Sequence, residues 1–191
     1  FDNNQLPLKL LPTEWKLATS RSEMEIHMNT TDNLEQFLPI LRTASIFSGM
    51  SDSEILSVLH CMEAFVSDKE KDSYLLRAGD MTSTMGLLLS GSAIVIQEDV
   101  WGHRNIMAQI LPGQTFAEPF AASNGTALNI SVVVTKDCSL LYLDIHRILG
   151  VCPSACEHHT HLIQNLISVL AKKLLLFNEK ITHMSKRTTK E

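Results

Sequence analysis

The sequence predicts a mainly β chain of the α+β kind: short helices, then a sandwich or barrel of short strands, then one long helix. Three observations predict it. β-prone runs recur between residues 65 and 144. Glycines at 79, 91, 102 and 113 punctuate them at spacings of 12, 11 and 11 residues. Near the end of the chain, apolar residues recur at alternating steps of 4 and 3. Short strands with turns at intervals of about 8–12 residues indicate a sandwich or barrel, and a 4-3 apolar repeat indicates a helix packed along one seam.

Taken in order, residues 1–27 show no sustained periodicity and carry Pro7 and Pro12. Beginning at Phe1, they read as a leader, tag or loosely packed extension. Met28 is a plausible natural start, with Asn29-Thr30-Thr31-Asp32 as a helix N-cap region. Short helices are expected over 34–59. There Ser51 and Asp52 can cap a segment whose Ile55, Leu56, Val58 and Leu59 fit helical spacing. Strands are expected at 74–76, 85–89, 93–97, 106–111, 130–134 and 140–143. The clearest hairpin is 93–111, turning through Asp99-Val100-Trp101-Gly102. Helix resumes near Asp144 and, after Pro153, continues to the end. The expected divisions are 1–27, a domain over 28–145, and a helical region over 146–191 with its main helix at about 156–187.

That helix carries the strongest pattern. Ile163, Ile167, Leu170, Leu174, Phe177, Ile181 and Met184 form a heptad seam, with Lys172, Lys173, Glu179 and Lys180 alongside. A second row, Leu162, Leu166, Val169, Leu175 and Leu176, lies off the seam. A helix apolar on two faces needs two partners, so one row can pack on the barrel while the seam pairs with a second copy. A single core helix apolar nearly all round is the alternative; the unbroken 3.5-residue period favours a homodimer.

Composition narrows the function classes. The 191 residues are 45% apolar, 19% charged and 6% aromatic, with a formal net charge of -5. A broadly basic nucleic-acid surface is not expected. No apolar run approaches the ~20 residues of a membrane span, and no secretory signal is legible. Four cysteines are too few for a disulfide scaffold, so a cytoplasmic chain with reduced thiols is expected. Enzyme motifs are missing too: there is no phosphate-binding glycine loop and no nucleophile elbow, and Asp72, Asp80 and Glu98 sit in turns or on outer strand faces. A non-enzymatic role is expected.

The ordered turns Arg77-Ala78-Gly79-Asp80, Leu89-Ser90-Gly91-Ser92 and Leu111-Pro112-Gly113-Gln114, then Thr115-Phe116-Ala117-Glu118 and the helix end Leu174-Leu175-Leu176-Phe177-Asn178-Glu179-Lys180-Ile181, together resemble the Crp/Fnr family of bacterial transcription regulators. The resemblance runs from about Leu34 to Glu191, and the tail is most similar to members from anaerobic Firmicutes. It implies a double-stranded β-helix, the jelly-roll barrel of cyclic-nucleotide-binding domains, with a long C-terminal dimerisation helix. It also implies that DNA is read by a C-terminal helix-turn-helix, for which no pattern follows Glu191 here.

In that family a Gly-Glu pair holds the nucleotide ribose, and an Arg-Ser pair ten residues on holds its phosphate. Here Glu118 matches the carboxylate, Ala117 replaces the glycine, and Leu128 and Asn129 stand in place of Arg and Ser. A phosphodiester buried beside Leu128 would lack its cation, and an unpaired buried charge costs several kcal/mol. Cyclic AMP is therefore not the expected effector, with Arg104 on a neighbouring strand as the one possible substitute cation. In the same register Phe177 and Asn178 face the effector pocket. Leu128, Phe177, Met85 and Leu87 make it apolar, and Glu118, Asn129 and Asn178 orient what binds. The resemblance thus implies a small, non-nucleotide effector of unknown identity. Leu128 and Phe177 could instead simply fill the barrel, and Glu118 could serve only to accept backbone N–H bonds.

Cys152-Pro-Ser-Ala-Cys156 followed by His158, His159 and His161 gathers five possible ligands within ten residues. On a helix, Cys152, Cys156 and His159 could share a metal ion, or the cysteines could act as a thiol switch. Pro153 interrupts that helix, the spacing is not that of a zinc finger, and packing is the simpler role. No metal site is expected there. Cys61 and Cys138 read as core residues. A cupin-like metal-dependent barrel is a further alternative, although His103 alone lies in the barrel region. A free-standing cyclic-nucleotide-binding regulatory domain is another.

Overall fold

A computed structural model describes residues 31–99, 101–123, 125–150 and 158–188. A 3-10 turn (Thr31–Phe37) leads into α1 (Leu38–Leu41), a second 3-10 turn (Ser45–Phe47) and α2 (Asp52–Cys61). α2 starts where the sequence places it because Ser51 and Glu54 form a reciprocal box. The Ser51 N–H donates to Glu54 Oε2 at 2.6 Å, and the Glu54 N–H donates to Ser51 Oγ at 3.4 Å. Two otherwise orphaned donors are thereby satisfied. Arg42 adds a two-pronged ion pair to Asp52, with Nε at 2.6 Å from Oδ1.

The strands are β1 (Phe65–Lys69), β2 (Tyr74–Leu76), β3 (Thr84–Leu88), β4 (Ser92–Glu98), β5 (Arg104–Ile110), β6 (Thr115–Phe116), β7 (Ser131–Lys136) and β8 (Cys138–Asp144). Three helices complete the order: α3 (Glu118–Ala122), α4 (Ile145–Leu149) and α5 (His158–Thr188). The strands make two antiparallel sheets, β1-β8-β3-β6 and β2-β7-β4-β5. This is the jelly roll that the family resemblance implied. β1 and β6 fall outside the expected strands. β1 (Phe65-Val66-Ser67-Asp68-Lys69) is half polar and gains its place only by pairing along β8, while β6 is two residues long. Neither leaves a legible period.

The middle of the first sheet, β3 with much of β8, is buried on both faces, and strand alternation explains how. On β3 and β8, Leu88, Cys138 and Leu140 point between the sheets, where they meet Ala93, Ile110, Phe116, Val132 and Val134. Met85, Leu87, Leu141 and Leu143 point the other way, into a second core shared with Phe47, Ile55, Leu59, Ile148, Leu162 and Leu166. Burying one such side chain is worth roughly 1.5–3 kcal/mol, so the helices and the sheet hold each other. β5 is the opposite case: it lies at an edge and is exposed along its length as far as Ile110.

α5 changes character halfway along. Leu162, Leu166 and Val169 are buried, and Ile163 and Leu170 pack part-buried on the helix-side core. Asn165 Nδ2 donates to the carbonyls of Ile46 and Ser48 at 3.0 and 2.9 Å, pinning this half. Residues 171–179 are all exposed, Leu174, Leu175, Leu176 and Phe177 among them. The inward row thus contains Leu162, Leu166 and Val169 but not Leu175 or Leu176, because the sandwich ends before the helix does. No described helix is long and apolar enough to cross a membrane.

Candidate functional site

The site grows from a tight spot in the sheet. Gly86 on β3 has no side chain because the Phe116 ring occupies that space: a Cβ there would lie 2.1 Å from Phe116 Cζ. With Phe116 committed to the inter-sheet core, the chain must turn at once. Ala117 does so with φ 68° and ψ 2°, a left-handed conformation that costs an L-residue roughly 1–2 kcal/mol. Pro119 in the first turn of α3 then presets helical φ, and the Ala121 N–H donates to the Ala117 carbonyl at 2.9 Å.

This turn delivers Glu118 to a place where it is 1% exposed. A buried carboxylate needs a cation or several donors, and α5 supplies the cation. Lys173 Nζ donates to Glu118 Oε1 at 2.7 Å and to the Thr115 carbonyl at 2.7 Å. The lysine side chain itself is 42% exposed, so solvent reaches the ammonium end of the pair. Phe177 and Asn178 follow one turn further on. Both are exposed, Phe177 at 55%.

The segment after α3 is fixed through its backbone. Leu128 N–H donates to the Asp80 carbonyl and Gly79 N–H to the Leu128 carbonyl, both at 2.8 Å. Ala78 N–H donates to Ser131 Oγ at 2.9 Å. This double clasp turns the Leu128 side chain inward, where it is buried, and leaves Asn129 outside. Met85 and Leu87 are fully buried in the core that also takes Ala121 of α3, so they support α3 from beneath. Arg104 is exposed on β5 and pairs with Glu98 at 3.4 Å. Arg77 is stacked over the Tyr74 ring at 3.9 Å.

Of the seam residues, Ile163 and Leu170 pack partly on the chain's own core, whereas Ile167, Leu174, Phe177 and Ile181 are exposed. Met184 lies on α5, but its side chain is outside the described residues. So are residues 1–27 and the pair Cys152 and Cys156. His159 is buried: its Nε2 meets the Ile148 carbonyl, which makes that nitrogen the donor, while its Nδ1 has no partner among the described residues. His158 Nδ1 lies 3.1 Å from Glu54. Among the described residues no three His, Cys, Asp or Glu side chains converge as metal ligands. His103 is spent on Asp99, 3.0 Å away. Cys138 is buried between the sheets, where burial pushes its thiol up, and Cys61 is half-buried.

The residue that sequence reasoning missed is Lys173, which counted there only as charge beside the seam. A signal existed. Glu118 sits within Thr115-Phe116-Ala117-Glu118-Pro119-Phe120-Ala121-Ala122, apolar enough that a counter-ion had to come from elsewhere. Which basic residue of the helix answers depends on where α5 crosses the sandwich, and no spacing encodes that.

Residues 68–154 match the family model described as "Cyclic nucleotide-binding domain". No curated protein matches the chain. Among solved structures, the chain is similar to the catabolite activator protein of Thermus thermophilus at 20% identity, covering 74% of this chain and 63% of that one, TM-score 0.64. A cyclic nucleotide-binding domain from Methylobacillus flagellatus KT is similar at 17% identity, covering 81% and 85%, TM-score 0.67. The sensor domain of the transcriptional regulator DNR from Pseudomonas aeruginosa is similar at 13% identity, covering 80% and 93%, TM-score 0.55. At these identities the shared property is the fold: a cyclic-nucleotide-binding jelly roll with a C-terminal helix.

Proposed function

We propose that this chain is the effector-sensing and dimerising portion of a Crp/Fnr-like transcription regulator of the cytoplasm. It acts without catalysing a reaction, and its effector is a small, non-nucleotide molecule taken up between the sandwich and α5. DNA would be contacted only through a separate helix-turn-helix. The observation that carries this reading is the change along α5. Its first half is seated on the core by Leu162, Leu166 and Val169, and its second half presents Leu174, Phe177 and Ile181 outward on a heptad period. A second copy of the same helix fits that period. The point where the two halves meet is the point where Lys173 touches the Glu118 turn.

In this reading Glu118, Asn129 and Asn178 orient the effector, and Leu128 and Phe177 give it an apolar wall, with Met85 and Leu87 behind. Binding changes how the paired helices pack near Phe177 and Met184. The effector shifts that equilibrium only by its differential affinity for the two arrangements. The test is native mass spectrometry for a co-purified molecule, then thermal unfolding with candidate aromatic and aliphatic compounds. A bound effector raises the midpoint, and Phe177→Ala abolishes the rise while the dimer persists. A rise that survives Phe177→Ala overturns the placement.

One further reading has support of its own. The family model over residues 68–154 favours a cyclic-nucleotide-binding regulatory domain. Calorimetry with cyclic AMP separates the two: the buried Leu128 predicts no binding in the ordinary mode.

A further inference from the structure

We propose that Lys173 sets the charge class of the ligand: its charge is spent on Glu118, so the site takes uncharged molecules and turns away phosphate esters. This rests on the effector site proposed above. An ammonium group has three N–H donors. Two are used, on Thr115 O and Glu118 Oε1, and no acceptor for the third is found among the described residues. Charge +1 on Lys173 and -1 on Glu118 cancel, so a phosphate beside them meets no net attraction. Of the other candidate cations, Arg104 lies out on β5 beside Glu98, and Arg77 is held over the Tyr74 ring. Leu128 offers none.

A ligand that pushed Lys173 aside would strand a carboxylate that is 1% exposed without its cation. The cheaper course leaves the pair intact, so that Glu118 orients the ligand through Lys173, and places a ligand oxygen (carbonyl, ether or hydroxyl) on the third ammonium proton. Phe177 stands four residues along the same helix face, exposed, and can take the apolar body of such a molecule. The ligand class is therefore a neutral, largely apolar compound with one acceptor oxygen.

Cyclic AMP and adenosine test the rule, since they share base and ribose and differ by one negative charge. Calorimetry on the full chain should show the unaltered protein favouring adenosine by at least tenfold. Glu118→Gln keeps the shape but frees the ammonium of its counter-charge, and should move the ratio at least tenfold toward cyclic AMP, less so at high salt. Lys173→Gln, which keeps the carboxylate, should move it the other way. Circular dichroism checks that both variants fold. Cyclic AMP bound as well as adenosine by the unaltered protein overturns the inference. So does a Glu118→Gln chain with no gain for cyclic AMP, whatever the unaltered protein binds. The effector reading fails separately: if no compound raises the unfolding midpoint yet Glu118→Gln gains cyclic AMP, the charge rule stands and the effector reading falls.

Discussion

Lys173 Nζ on α5 lies 2.7 Å from Glu118 Oε1 at the start of α3, a contact spanning 55 residues of sequence. The two ends of this pair are unequal, one buried and one half-exposed, so the two deletions should be unequal as well. Lys173→Ala leaves the buried carboxylate unpaired and should lower stability by about 1–3 kcal/mol. Glu118→Gln retains an acceptor for the ammonium and should cost less. Urea midpoints of the two variants decide it, and equal losses would remove the asymmetry.

The outward half of α5 makes its own prediction. Leu174→Lys with Ile181→Lys places two charges on the seam where single-chain exposures are already 61% and 50%. Intrachain packing should barely change, while self-association should weaken by at least tenfold. Sedimentation equilibrium reads the mass directly. An unaltered protein that sediments as a monomer sinks the dimer.

Gly86 lies under the Phe116 ring, where an added Cβ would come within 2.1 Å of Cζ. Gly86→Ala should therefore cost about 1–3 kcal/mol by overpacking. Adding Phe116→Leu should recover part of the loss, since the two effects share one space. A neutral Gly86→Ala would mean that β3 and β6 can move apart.

Stability should fall at both ends of the pH scale. Among the described residues, three carboxylates lie below their ordinary range. Asp52 is held there by its hydrogen bond from Arg42, Glu54 by the Ser51 N–H, and Asp99 by the His103 N–H. They bind fewer protons folded than unfolded, so their contribution is complete above about pH 4.5 and is lost on acidification below that. At the other end, burial pushes the Tyr142 phenol up to about 12. The folded state favours its protonated form, so this contribution is complete below about pH 10 and is lost as pH rises through 12. Absorbance of ionised tyrosine in a Tyr74→Phe background follows Tyr142 alone; a midpoint near 10 would contradict its burial.

Asn165 offers a test of how α5 is pinned. Its amide donates to both Ile46 O and Ser48 O. Asn165→Ala should cost about 1–2 kcal/mol and speed amide exchange in the second 3-10 turn. A change confined to α5 would argue against that anchoring.

Much of this architecture was legible because its determinants are local. The cap of α2 at Ser51, the strands around Gly91 and Gly102 and the long helix all follow from spacing and turn chemistry within about ten residues. Where the determinant is distant, the sequence is mute. β1 exists because β8 is beside it. Ala117 occupies a left-handed position because Phe116 is locked over Gly86. Met85 and Leu87 share the apolar character of a pocket wall, yet strand parity turns them toward the helices. At the candidate site, Glu118 and Leu128 could be singled out by motif, but Lys173 could be found only from the path of α5 across the sandwich.

The strands enclosed on both sides have a mechanical consequence. Walled by helices on one side and by the sister sheet on the other, β3 and β8 have little room to flex, since close-packed interiors compress poorly. They can serve as a fulcrum. In the proposed sensing role, a nudge at the Glu118 turn would pass through Lys173 into the overhanging half of the last helix, whose residues 174–179 are exposed.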